Sequence, residues 1–194
     1  MSEFFEADVE RTVEALTDGH PVIMPTDTVY GLAADPRSPR AMARLFELKD
    51  RPEGVPVAVL VGSVEQAKTL IEWSPEIDRL AQAHWPGALT IIGTLAARGL
   101  SAGTEDTLGV RLPDHPFVQA CAQRFGPIAA TSANPHGEPT VTDPADLDVV
   151  FGGEVEVVIH GGVLDGLAST VVDATGSDRP KILRQGIVLL EPTD

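Results

Sequence analysis

Cysteine is almost missing from this chain: Cys121 is the single thiol in 194 residues. It cannot form an internal disulfide, so the fold must rest on its core, and a reducing, cytoplasmic compartment is the expectation. Aromatic residues are scarce at 5%, and positive charge is scarcer, with 14 Lys and Arg against 29 Asp and Glu for a net charge of −15. Nonspecific wrapping of nucleic acid needs an excess of cations and is excluded. Any anionic ligand must instead be met by a few placed Lys or Arg side chains. No apolar run approaches the roughly 20 residues that a bilayer span requires, so no membrane is expected. Met1-Ser2-Glu3 opens acidic and leads into a polar amphipathic run, unlike a signal peptide.

The common cofactor and nucleophile signatures are missing too. There is no G-x-x-x-x-G-K-[ST] loop and no G-x-G-x-x-G after a strand. No H-E-x-x-H or paired Cys offers a closed metal cage, and no G-x-S-x-G elbow marks a hydrolase serine. His20, His84, His115, His136 and His160 are scattered and read as packed or capping residues.

What remains is ordinary globular composition, 43% hydrophobic and 22% charged, and long enough for a core. An amphipathic pattern over 8–16 predicts a helix. Val22-Ile23-Met24 predicts a buried strand that runs into Pro25-Thr26-Asp27-Thr28-Val29-Tyr30-Gly31-Leu32. That turn carries two hydroxyls, a carboxylate and a phenol, more polar chemistry than a turn needs. Ser38-Pro39 and Ser74-Pro75 read as helix starts. The first helix buries Met42, Leu45 and Phe46 and delivers Lys49 and Arg51 at its end. Ser63 with Gln66 reads as a capping box opening a helix through Ile71. Helices are also expected over 116–125 and 143–150. Strands are expected over 56–61, 88–95, 107–112, 127–130, 155–159, 169–173 and in the closing segment 181–190. Seven or eight strands with five or six helices, in βα order at first, predict an α/β fold with a mixed, twisted sheet. With no internal repeat and no parting linker, one domain over 1–194 is expected.

Four cations stand apart from the solvated Arg11, Arg44, Arg79 and Arg124. Lys49, Arg51, Arg111 and Arg184 sit in or beside apolar elements, where a buried charge needs a partner. An internal acid such as Asp27, Asp114 or Asp173 would serve, as would a bound phosphate or carboxylate. Four such cations with two hydroxyl-rich turns, the second at Thr131-Ser132-Ala133-Asn134, favour an anionic ligand.

Seven segments occur in register: the first turn, Lys49-Asp50-Arg51-Pro52, His84-Trp85-Pro86-Gly87-Ala88-Leu89-Thr90, Val110-Arg111-Leu112-Pro113, the second turn, Ser169-Thr170-Val171-Val172-Asp173 and Leu183-Arg184-Gln185-Gly186. Together they strongly resemble the YrdC-like threonylcarbamoyl-AMP synthases, in the short form with one such domain. The resemblance implies a strongly twisted mixed sheet flanked by helices and curled around a large concave pocket. It implies a nucleotidyltransferase that turns L-threonine, bicarbonate and ATP into threonylcarbamoyl-AMP and pyrophosphate, with Mg2+ accompanying the ATP. The product would be handed to a separate transferase complex that modifies a tRNA adenosine; strong direct tRNA binding is not expected of so acidic a chain.

By the same resemblance, Lys49, Arg51, Ser132 and Asn134 are the catalytic, nucleotide-binding quartet. Thr107, Thr140 and Arg184 are further ATP contacts, and Thr26, Tyr30, Arg111, Ala130 and Ser169 line the L-threonine site. Val55, His136 and Gln185 depart from the family pattern, where Lys, Ser and Pro are usual; the first removes a candidate phosphate contact. Two rival readings stay open: an RNA- or ribosome-binding module without adenylation, and a synthase of another carbamoyl-adenylate.

Overall fold

Four helix starts among the described residues are written as a capping side chain followed by a residue that cannot or need not donate. Ser38 Oγ accepts the Ala41 amide at 3.2 Å ahead of helix α2 (Pro39–Leu48), and Ser74 Oγ accepts the Ile77 amide at 3.1 Å ahead of a helix at Pro75–His84. Asp143 caps Pro144–Val150 through the Ala145 amide. In the computed structural model, which describes residues 3–52, 54–151, 153–176 and 179–190, the elements follow in this order. They are α1 (Glu3–Thr17), β1 (Val22–Met24), β2 (Gly31–Ala34), α2, β3 (Ala58–Leu60), α3 (Val64–Lys68), α4 (Pro75–His84), β4 (Leu89–Thr94), β5 (Thr107–Arg111), α5 (Pro116–Phe125), β6 (Ile128–Ser132), α6 (Pro144–Val150), β7 (Val157–Val158), β8 (Thr170–Asp173) and β9 (Lys181–Arg184).

The strands form one mixed sheet in the order β7-β1-β2-β6-β3-β5-β4-β8-β9. β1/β7, β3/β5 and β4/β8 pair parallel, and the other neighbours pair antiparallel. Period-two alternation then sorts every strand onto two faces. Ile23, Leu32, Val59, Ile91, Val110, Ala129 and Val172 point to one face and join α2 and α4 side chains (Met42, Leu45, Phe46, Ile77, Leu80) in the larger core. Val22, Met24, Ala33, Leu60 and Ile128 point to the other, where α1 and α5 cover them with Val9, Leu16, Phe117, Val118 and Cys121. Each large aliphatic side chain so buried contributes about 1.5–3 kcal/mol. Phe5 meets Phe117 edge-on at 5.8 Å between the two helices.

The second face is only partly covered. Beyond the reach of α1 and α5, the alternate residues of the central strands form a floor. Gly31, Ala58, Ala130, Ser132, Thr90, Ile92, Gly109, Arg111, Val171 and Asp173 all lie on it and line one cavity of about 670 Å³.

Three local expectations are revised. Strand β2 falls within and just after the hydroxyl-rich turn, where the sequence Gly-Leu-Ala-Ala lacks the β-branched residues that signal a strand; pairing with β1 and β6 on both sides makes it one. The helix opened by Ser63 stops at Lys68, and Ile71 instead forms an isolated bridge with Leu95. Its Gln66 side chain reaches back to the Gly62 amide at 2.7 Å rather than to the cap residue's own.

Candidate active site

Helix α2 ends on Lys49, and Asp50 then takes a left-handed φ of 54°. That reversal sends neighbouring cations to different places. Arg51 reaches the cavity wall, whereas Lys49 is 1% exposed and does not line it. The Lys49 Nζ donates to the Ser132 carbonyl at 2.5 Å and to the Asn134 carbonyl, and the His136 amide donates back to the Lys49 carbonyl at 2.7 Å. The end of β6 and the turn after it are thereby tied to α2. Burial, with the nearby Arg51 charge adding to it, brings the Lys49 ammonium down to about 8.

Ten of the twelve side chains or backbone positions expected at the site line the cavity: Thr26, Arg51, Thr107, Arg111, Ala130, Ser132, Asn134, Thr140, Ser169 and Arg184. Lys49 and Tyr30 are the two that do not. Tyr30 is fully buried behind the wall, where its hydroxyl donates to the Gly162 carbonyl at 2.7 Å and accepts from the Gly161 amide at 2.9 Å. Burial raises its phenol above the ordinary value.

The first turn is both self-satisfied and outward-looking. Thr26 Oγ1 accepts the Thr28 and Val29 amides and donates to the Val29 carbonyl at 2.7 Å. With that proton spent, the 2.9 Å contact between the two threonine hydroxyls runs from Thr28 to Thr26. Arg111 in turn donates to Thr28 through Nη1 at 3.0 Å, to Asp27 through Nη2 at 2.5 Å and to the Gly87 carbonyl through Nε at 3.0 Å. Burial lowers the affinity of Arg111 for its proton and Asp27 opposes this.

On the far wall, Arg184 lays Nε and Nη2 against the Ser169 carbonyl at 3.1 and 3.0 Å, and Nη2 also reaches Ser169 Oγ at 3.1 Å. Ser169 Oγ meets Thr90 Oγ1 at 3.0 Å across β4 and the start of β8. The approach depends on Gly186: a Cβ there would run into the Ala168 and Ser169 carbonyls. Burial, then the charge of Arg111, pulls Arg184 below its ordinary value.

Two buried polar atoms on the wall have no partner among the described residues, Arg51 Nε and Asn134 Oδ1. The Asn134 Nδ2 donates to the Pro135 and Glu138 carbonyls at 2.8 and 2.9 Å, which fixes the amide's orientation and leaves its oxygen as the open acceptor. A buried donor and a buried acceptor left open on one wall are suited to a polar ligand. Charge points the same way. The lining holds three Arg (51, 111, 184) and two carboxylates (Glu138, Asp173), in a chain with twice as many acids as bases. Several outer Arg residues are spent in surface pairs, Arg44 with Glu47 and Glu154, Arg79 with Glu76, Arg124 with Glu6, which contribute little.

Sequence reasoning missed Thr28, Thr90, Glu138 and Asp173 as wall residues. Thr90 had a signal: a hydroxyl at an alternate position of an apolar strand marks the face that is not core. Thr28 had none, since its role lies in the contact with an Arg 83 positions away.

Comparison with known proteins places the chain in a family. The family model for the Sua5/YciO/YrdC domain, described as telomere recombination, matches residues 14–186. A protein of Mycobacterium tuberculosis is 37% identical over 204 residues, covering 98% of this chain and 93% of its own length. The threonylcarbamoyl-AMP synthase of Pyrococcus abyssi is 37% identical over 182 residues, covering 91% of this chain and 53% of its own. The crystal structure of P. abyssi Sua5 complexed with L-threonine superposes with a TM-score of 0.85 at 35% identity, covering 92% of this chain and 54% of that one. The chain thus spans about half the length of the Pyrococcus protein and nearly all of the mycobacterial one.

Proposed function

We propose, because this chain belongs to the Sua5/YciO/YrdC family, that it is an ATP-dependent L-threonylcarbamoyladenylate synthase supplying the donor for threonylcarbamoyladenosine in tRNA. The observation that carries this is the convergence of Arg51, Arg111 and Arg184 with both hydroxyl-bearing turns around one cavity. Relatives named threonylcarbamoyl-AMP synthase and a threonine-bound Sua5 support it.

The reaction is a nucleotidyl transfer. The threonine amine takes up bicarbonate with loss of water to give a carbamate. A carbamate oxygen then bonds to the α-phosphorus of ATP as the α–β bridging P–O bond breaks and pyrophosphate leaves. Such a transfer needs alignment and charge neutralisation more than covalent help. Arg111 has free N–H groups suited to the threonine carboxylate, with Thr26, Ala130 and Ser169 around the rest of the amino acid. Arg51 and Arg184 offset the triphosphate charge, and Ser132, Asn134, Thr107 and Thr140 meet the nucleotide. Lys49 acts one step back, by holding the Ser132 and Asn134 backbone in place.

Mg2+ accompanies the ATP in this proposal. Among the described residues no group of three His, Cys, Asp or Glu could enclose an ion. Asp173 and Glu138 are the wall carboxylates. One or two carboxylates beside phosphates and water suit magnesium, so the donor set fits an ion carried by the triphosphate. Its chemistry is to neutralise phosphate charge as pyrophosphate departs. No helix among the described residues is long and apolar enough to cross a membrane, and we place the reaction in the cytoplasm, with hand-over to a tRNA-modifying transferase.

The test is pyrophosphate release from ATP, with product masses, on omitting each substrate in turn. Release should require both L-threonine and bicarbonate, with threonylcarbamoyl-AMP as the product. Release indifferent to threonine would overturn the assignment in favour of another carbamoyl-adenylate.

A further inference from the structure

The buried Arg111–Asp27 pair invites a question that burial alone does not answer. The two side chains are 7% and 12% exposed. Taking both charges out of water costs more than a well-packed apolar pair would, so a buried ion pair is weak ground for stability. What the pair does provide is orientation.

Arg111 carries five N–H groups. Nε is spent on the Gly87 carbonyl, one N–H of Nη1 on Thr28, and one of Nη2 on Asp27. Five less three leaves two, one on each terminal nitrogen, with no partner among the described residues. Arg111 lines the cavity. Three anchors on three different nitrogens hold the guanidinium plane and its rotation about Cζ. Two of those anchors, Asp27 and Thr28, come from the one turn that closes on itself through Thr26. The Thr28 hydroxyl is therefore itself held by Thr26, and the Asp27 backbone lies inside the closed turn.

We infer that Asp27 is a positioning residue for the amino-acid substrate: it aims the free N–H groups of Arg111 so that the cavity recognises a carboxylate, and Thr28 is its helper. This rests on the reading of the cavity as an L-threonine site. Asp27 does not line the cavity, so its effect reaches substrate only through Arg111. A planar fork grips a carboxylate in two-point fashion only when its plane is set, which is why orientation counts as much as charge.

A simple charge argument predicts the opposite. If Asp27 merely neutralised Arg111, its removal would free a positive charge and tighten carboxylate binding. The two views separate cleanly with a ligand pair, L-threonine and L-threoninol, which lacks the carboxylate. Calorimetric titration of the full chain with each gives a preference ratio that is insensitive to the fraction of folded protein. Wild type is expected to prefer threonine by about tenfold or more. Asp27→Asn, whose Oδ1 still accepts from Nη2, should keep most of that ratio, and in Asp27→Ala it should fall towards one. The KM for threonine should rise about tenfold while the KM for ATP stays put, and Asp27→Glu should recover part of the loss. Should Asp27→Ala fold poorly, Thr28→Val removes the Nη1 anchor, together with the hydroxyl contact to Thr26, while Asp27 stays in place, and must lower the same ratio.

Asp27→Ala with an unchanged ratio, or either Asp27 variant with tighter threonine binding, overturns the inference while the threonine site stands. Wild type that binds threonine no better than threoninol, or not at all, removes the site itself and the inference with it.

Discussion

Replacing Lys49 by methionine keeps the side chain's length and removes its charge, and the consequences can be worked out from its surroundings. At neutral pH the ammonium makes two charge-assisted bonds, to the Ser132 and Asn134 carbonyls. Each contributes about 1.5–3 kcal/mol, or about 3–6 kcal/mol together. Against this stands the cost of holding the charge in the interior. The fall from an ordinary 10.5 to about 8 corresponds to about 3 kcal/mol. The balance at pH 7 is small, and Lys49→Met should destabilise by no more than about 3 kcal/mol.

Raising the pH changes that balance with a definite sign. Below about 8 the lysine is protonated folded and unfolded, and the full cost is present. Between about 8 and 10.5 the unfolded chain keeps the proton and the folded one releases it, so stability rises with pH. Above that window both forms are neutral and the cost is gone, while the amine still donates. Wild type should therefore gain about 3 kcal/mol relative to Lys49→Met between pH 7 and pH 10.5. Comparing the two proteins cancels every other titrating group they share. Urea unfolding at both pH values measures the difference, and a gap that does not widen would refute the burial cost assigned to this ammonium. In activity assays the variant should need more ATP at unchanged threonine requirement, because the loosened backbone carries Ser132 and Asn134.

Three further outcomes are expected. Tyr30→Phe leaves the Gly161 amide and Gly162 carbonyl without their shared hydroxyl and should cost about 1–3 kcal/mol in urea unfolding; an unchanged midpoint would show that these bonds contribute nothing. Arg184→Ala removes the fork on Ser169 and one of three wall cations, and should raise the KM for ATP about tenfold or more; equal ATP use by both proteins would remove Arg184 from the nucleotide side. Cys121 is fully buried and burial pushes its thiol up to about 12, so it should resist thiol reagents at pH 8 until the protein is unfolded, and rapid labelling of the native chain would contradict its placement.

The sequence by itself determined whatever is encoded within a few residues. Ser-Pro pairs and Asp143 set helix starts, because a cap needs only its own first turn. Apolar runs at 22–24 and 56–61 marked buried strands, and 107–112 marked a strand with Arg111 inside it. The motifs named most of the cavity wall, and the paucity of cations made Arg51, Arg111 and Arg184 conspicuous. Tertiary structure decided everything that depends on a partner far along the chain. Gly31–Ala34 became a strand because β1 and β6 flank it. Asp27 rather than Asp114 or Asp173 became the mate of Arg111. Lys49, two residues before Arg51, turned inward onto the Ser132 and Asn134 carbonyls, which lie 83 and 85 positions away. Capping and periodicity are local energies legible along the chain, whereas pairing register and the fate of a buried charge are settled by contacts that exist only once the sheet has formed.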